Sequence, residues 1–146
     1  IGKMGIDEKI LNKSGQLTEE EYIVMKSHTL IGASMLARLD HYRDEELART
    51  AYQICRWHHE RYDGGGYPDG LKGEEIPIAA QVVSIADAYD ALISPRVYKE
   101  GFSHEQAMQM IRNGECGAFN PLLIECLEDS QSRIRYLASM TAERFS

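Results

Sequence analysis

The stretch "HHERYDGGGYP", residues 58–68, sets His58 and His59 side by side, then a carboxylate, then Gly64, Gly65 and Gly66, then the step Tyr67-Pro68. Imidazoles and carboxylates are the ligands that iron, manganese and zinc accept from protein. Two further residues fit that chemistry. His28 lies ten residues beyond a helix-start signal at Thr18, and Asp87 interrupts an otherwise apolar run. A buried carboxylate without a partner is costly, and a metal ion supplies one. His28, His58, His59 and Asp87 together offer three imidazoles and one carboxylate. Taken alone, the histidine pair reads more readily as a satisfied core histidine with a solvated neighbour.

The glycines allow φ > 0 and close approach of the backbone to a ligand, and Tyr67 adds a ring face and a hydroxyl. The same residues would also make a plain surface turn. Arg96 and Lys99 stand three apart after the Asp87 segment. A guanidinium grips phosphate with two hydrogen bonds and an ammonium adds a point charge, although two solvated cations read the same way. Asp90 either orients a metal ligand from behind or is a helix-surface charge. His41 and His104 sit near helix starts among polar residues and read as surface groups.

These residues must be held by helices. Thr18 and Glu21 form a capping box with acids at 19–21 suiting the positive helix end, so a single helix is expected from there to about residue 39. Its apolar positions include Met25, Ile31, Met35, Leu36 and Leu39. From about Asp44, Leu47, Ala51, Ile54, Cys55 and His58 recur at helical spacing, and the glycines with Pro68 are expected to end that helix. Pro77 suits a first helical turn, and the run to Ser94 is apolar almost all round, which predicts a central, buried helix. Ser103 with Gln106, and Asn120 with Pro121, open two more. Residues 1–17 read as a connecting segment with one short helical turn. No segment alternates as a strand does, so the class is all-α, a bundle of about five main helices in one domain, 1–146.

The 146 residues are 43% hydrophobic and 27% charged, as in an ordinary globular domain. No apolar run reaches the length of a membrane span. The net charge of −7 speaks against general DNA or RNA binding but not against a small anionic ligand. Cys55, Cys116 and Cys126 are odd in number and lack C-x-x-C spacing, which predicts small buried apolar groups in a reduced, cytoplasmic protein.

Longer stretches carry a resemblance. "IGKMGIDEKILNKSGQLTEEEYIVMKSH", "HHERYDGGGYPDGLKGEEIPIAAQVVSIADAYDAL", "SPRVYK" and "FNPLL" resemble, in that order, the HD-GYP domain, a bacterial branch of the HD phosphohydrolases. The resemblance implies an HD fold with two or three iron or manganese ions and hydrolysis of cyclic di-GMP to a linear dinucleotide or GMP. It implies that His28, His58, His59 and Asp87 bind metal. It gives Lys3, Arg96 and Lys99 phosphate contacts, with Lys3 stabilising charge in the reaction. It makes Gly66, Tyr67 and Pro68 the substrate lip, and implies an upstream sensory or receiver domain. The family's His-Asp pair stands directly before Ile-Gly-Lys, whereas this sequence starts at Ile1. The expectation is an N-terminally incomplete domain or one whose pair is replaced. Two other readings follow: a non-catalytic module docking on a diguanylate cyclase, and an HD enzyme acting on another nucleotide.

Overall fold

A computed structural model describes residues 1–42, 44–94 and 101–144, without the side chains of 40, 139 and 141–144. The described residues form eight α-helices and no strand: α1 Glu8–Leu11, α2 Glu19–Lys26, α3 His28–Ala37, α4 Glu46–Trp57, α5 Ile78–Ile93, α6 His104–Arg112, α7 Pro121–Asp129 and α8 Gln131–Arg144. Short 3-10 turns occur at Gly2–Gly5, Asp40–Tyr42 and Gly73–Glu75. The expected capping residues do their work. Thr18 accepts from the Glu21 amide, Ser103 from that of Gln106 and Asn120 from that of Leu122. Pro77 is the residue before α5 rather than its first turn.

The helix expected from Thr18 to about residue 39 is two helices. The break has a local cause. Three consecutive side chains donate back to the carbonyls that end α2: Ser27 Oγ to Val24 O at 2.6 Å, His28 Nδ1 to Met25 O at 2.7 Å and Thr29 Oγ1 to Lys26 O at 2.9 Å. Side chains that take over backbone acceptors in this way compete with continuing the helix. The last helix is likewise divided, at Ser130 between α7 and α8.

The main core joins Ile85 and Tyr89 of α5, Ala107, Met108 and Ile111 of α6, and Phe119, with Leu123, Ile124 and Leu127 packed around them. Ile111 is 1% exposed, a burial that contributes about 1.5–3 kcal/mol. On the other side α3 packs on α4 and on the Gly2–Gly5 turn. The contact with the turn is close. A Cβ on Gly2 would lie 1.8 Å from the His28 carbonyl oxygen, far inside contact distance. Glycine at position 2 thus brings Lys3 beside the start of α3.

Several expectations about burial are corrected. α5 is not buried all round: Ala80, Gln81, Ser84, Ile85 and Tyr89 face inward, while Ile78, Val82, Ala86, Asp87 and Asp90 are exposed. Its apolar composition covers more of its circumference than its neighbours do. Leu47 is 81% exposed, and Met35 and Leu39 are exposed too, because small residues, Thr29, Gly32 and Ala33, make the α3 contact. Cys126 is exposed, with Cys55 and Cys116 half-buried. His104 is half-buried and shares a 2.9 Å hydrogen bond with the Tyr89 hydroxyl, while His41 is exposed as expected.

Candidate metal centre

His28, His58 and His59 converge, each offering a ring nitrogen within 4.8 Å of the others. The bonds that break α2 also aim His28. Its Nδ1 faces the Met25 carbonyl at 2.7 Å, and His58 repeats the device, with Nδ1 2.8 Å from Ile54 O. A carbonyl only accepts, so each Nδ1 carries a hydrogen, and a ring so bonded has a bare Nε2 whenever it is neutral, the form a metal selects. Those two Nε2 atoms face one another at 3.4 Å. Two lone pairs so placed repel unless a cation lies between or beside them. The donor set therefore fits a divalent metal, with backbone carbonyls fixing ring orientation as they do in histidine metal sites.

His59 completes the group, its ring centroid 4.1 Å from that of His58 and 5.1 Å from that of His28. Burial drives its pKa from 6.5 down to about 3, helped by the neighbouring histidines, Arg61 and Lys3. Burial lowers that of His28 as well. Neutral imidazoles are the form that binds metal.

α4 does not run to the glycines. It ends at Trp57, and the segment from His58 turns sharply. Glu60, 2% exposed, accepts from three successive amides of the returning loop: Asp69 at 2.7 Å and Gly70 at 3.0 Å through Oε1, Leu71 at 3.1 Å through Oε2. Asp69 is tied back to α4 by Arg56 at 2.8 and 2.9 Å and by Trp57 Nε1 at 2.7 Å. Arg61 donates to Ser84 of α5 at 2.8 Å and lies over the Phe119 ring. The loop is thus fastened on three sides.

Of the three glycines only Gly64 has positive φ, +86°. Gly66 is needed for another reason: a Cβ there would lie 2.4 Å from Glu60 Cα and the Arg61 amide. The close approach it serves is to the protein's own backbone. It lets the Tyr67 amide bond the His59 carbonyl at 3.2 Å and the Tyr67 ring stack on His59, centroids 4.8 Å apart and planes 25° apart. A cis peptide joins Tyr67 to Pro68. Burial pushes the Tyr67 hydroxyl above its ordinary range. Lys26 Nζ lies 5.7 Å from the Tyr67 ring centroid and 5.1 Å from that of Tyr22.

Residues 1–120 match the family model described as HD domain. The chain belongs to the HD-domain family. A probable cyclic di-GMP phosphodiesterase of Vibrio cholerae is 44% identical over 127 residues, covering 86% of this chain and 29% of the relative. A cyclic di-GMP phosphodiesterase of Thermotoga maritima is 42% identical over 125 residues, covering 86% and 33%. A 3'3'-cGAMP-specific phosphodiesterase of Vibrio cholerae is 36% identical over 127 residues, covering 87% and 24%. The chain spans a third or less of the length of these relatives. With Gly66-Tyr67-Pro68 in place, it is an HD domain of the HD-GYP type.

The remaining expected site residues of this HD domain fall as follows. Asp87 is exposed, so the argument from a buried carboxylate does not apply, and it is outside the 4.8 Å histidine group. Its charge nevertheless acts on His28 and Tyr67. Asp90 is exposed and accepts from Ser94 Oγ at 3.3 Å, and no described contact joins it to the imidazoles. Lys3 is exposed and close enough to act on His28 and His59. Arg96 and Lys99 lie outside the described residues. Glu60, Arg61, Lys26 and Tyr22 were not singled out by the sequence. No described helix is long and apolar enough to cross a membrane.

Asp69 supports a pH prediction. Arg56, and then Trp57, hold its carboxyl below the ordinary aspartate range. A depressed folded-state pKa contributes stability above the unfolded value, about 3.9, that is lost as pH falls through the folded one. Asp69→Asn is expected to lower the thermal midpoint at pH 7 by a few degrees and to flatten the acid limb below about pH 4. Thermal melts from pH 7 to pH 3 check this, and parallel curves for the two proteins would contradict it.

Proposed function

We propose that this HD domain is the metal- and substrate-holding part of a phosphodiesterase that hydrolyses cyclic di-GMP. The observation that carries the reading is the pair of Nε2 atoms facing at 3.4 Å, with His59 beside them. Relatives named cyclic di-GMP phosphodiesterases support the substrate. The donor set suits iron or manganese, with Asp87 offered as a further ligand. Such a metal, when bound, lowers the pKa of water and polarises a phosphoryl oxygen. The chain's own residues do the rest. Lys3 brings a cation to the side of His28, Arg96 and Lys99 bind phosphate oxygens, and Tyr67 on its fastened loop orients the nucleotide. Asp90 steadies a ligand from behind. The product is a linear dinucleotide or GMP.

Metal analysis and cyclic di-GMP turnover, measured on these 146 residues and on the longest natural chain carrying them, test the reading. Iron or manganese above trace level, with turnover abolished by a chelator and restored by Mn2+, is expected of the longer chain. Chelator-insensitive turnover, or none in a metal-loaded protein, would contradict it. A second substrate is favoured by one observation, the 36% identity to a 3'3'-cGAMP-specific enzyme. Parallel assays with that dinucleotide separate the two.

A further inference from the structure

Tyr22 and Lys26 stand one helical turn apart in α2, and Lys26 reaches the Tyr67 ring that stacks on His59. The ammonium of Lys26 sits 5.1 Å from the Tyr22 ring and 5.7 Å from the Tyr67 ring, and Tyr67 in turn stacks on His59. A row of groups therefore leads from the imidazoles outward: His59, Tyr67, Lys26, Tyr22. Lys26 makes no ion pair with a described carboxylate. Lysine in a last helical turn suits the helix dipole, but a side chain extended into water would do that as well. Here the cation is instead laid over two aromatic rings beside the site. Tyr22 is 48% exposed, which leaves ring surface for a planar partner.

We propose that Tyr22 and Lys26, with Tyr67, form a second nucleotide subsite, taking the half of a cyclic dinucleotide that lies away from the phosphodiester under attack. The inference rests on the phosphodiesterase reading above. A cyclic dinucleotide carries two phosphodiesters and two bases. Only one phosphodiester can be at the metal centre, and the other needs its own cation and its own stacking surface. An ammonium donates to phosphate oxygens, and an aromatic ring stacks on any base. In a chain of net charge −7, Lys3 and Arg61 act on His59 and Lys26 lies beside Tyr67, so three cations face this corner against the carboxylate of Asp87. Tyr22 and Lys26 thus distinguish a cyclic dinucleotide from a simple phosphodiester, which reaches only the metal.

The test compares wild type, Lys26→Ala, Lys26→Arg, Tyr22→Ala and Tyr22→Phe in the longest natural chain carrying this sequence, loaded with Mn2+. Calorimetry follows binding of GMP and of a hydrolysis-resistant phosphorothioate analogue of cyclic di-GMP. Steady-state assays follow cyclic di-GMP and bis(p-nitrophenyl) phosphate. Lys26→Ala is expected to weaken the analogue and raise KM for cyclic di-GMP about tenfold, with kcat changed less than about threefold. Selectivity for cyclic di-GMP over bis(p-nitrophenyl) phosphate falls at least fivefold. Lys26→Arg and Tyr22→Phe keep most of it, and Tyr22→Ala does not. An analogue affinity unchanged in Lys26→Ala overturns the subsite. So does an equal loss on both phosphodiesters, or a loss on GMP as large as that on the analogue. A wild type that binds the analogue but hydrolyses no cyclic di-GMP overturns the functional reading and leaves the subsite to be judged by the binding arm. A wild type that does neither overturns both.

Discussion

His59→Ala is expected to strip most of the bound metal and to lower cyclic di-GMP turnover about 100-fold or more, beyond the range seen for residues that only support a ligand. His59 makes ring contacts with both other imidazoles and with Tyr67. Without it two nitrogens remain in the described group, and the Tyr67 ring loses the surface it stacks on. Two consequences separate a ligand from a packing residue. Metal content, read by inductively coupled plasma analysis, should fall together with activity, and high Mn2+ should restore part of the turnover. His41→Ala, at an exposed histidine away from the group, controls for loss of any histidine and should keep its metal. Full metal content in His59→Ala, with or without activity, would sink the metal centre as assembled here.

The parts of the fold written in short-range chemistry were legible. Thr18 with Glu21, Ser103 with Gln106 and Asn120 with Pro121 mark helix starts because a side chain and an amide two or three residues away suffice to make each cap. The break after Lys26 is local too, but its signal is less familiar. "SHT" at 27–29 puts three side-chain donors in a row where α2 has carbonyls to offer, and periodicity alone reads through it.

What the sequence hid depends on which surfaces meet. The apolar character of α5 says that it can be buried, not that neighbours surround it, and Asp87 turned out exposed. That the glycine loop lies beside the histidines is legible from its place in the chain, yet the reason for Gly66 is a backbone contact with Glu60 and Arg61. That contact exists only because residues 69–71 fold back on Glu60. Likewise nothing in "TEEEYIVMK" shows that Tyr22 and Lys26 face Tyr67, some forty residues further along. The histidines stood out because imidazoles so grouped in a sequence are unusual, whereas the groups that hold the loop beside them look like ordinary polar residues.

Glu60 is where this matters most. The sequence marks it only as the carboxylate after the histidine pair, but it is 2% exposed and holds three loop amides. Glu60→Ala removes the acceptor for all three, and each amide left without a partner costs about 1–3 kcal/mol unless water reaches it. Allowing for water at the exposed Asp69 and Gly70, a loss of about 2–4 kcal/mol is expected, or a thermal midpoint lower by roughly 6–16 °C for a chain of this size. Glu60→Gln keeps the shape and one oxygen but turns an amide group toward an N–H, so it should lose about half as much. The functional effect follows from position. Glu60 adjoins His59 in the chain, and the loop it grips carries Tyr67. Releasing residues 69–71 loosens the Tyr67 ring from His59 while the Nδ1 bonds of His28 and His58 remain. Glu60→Gln should therefore retain metal at a temperature where it is folded, yet bind cyclic di-GMP more weakly. Metal content, calorimetric affinity and thermal melts on one preparation decide the matter. Metal lost in step with affinity would show that the clamp supports the imidazoles themselves, and an unchanged midpoint would show that the three bonds do not hold the loop.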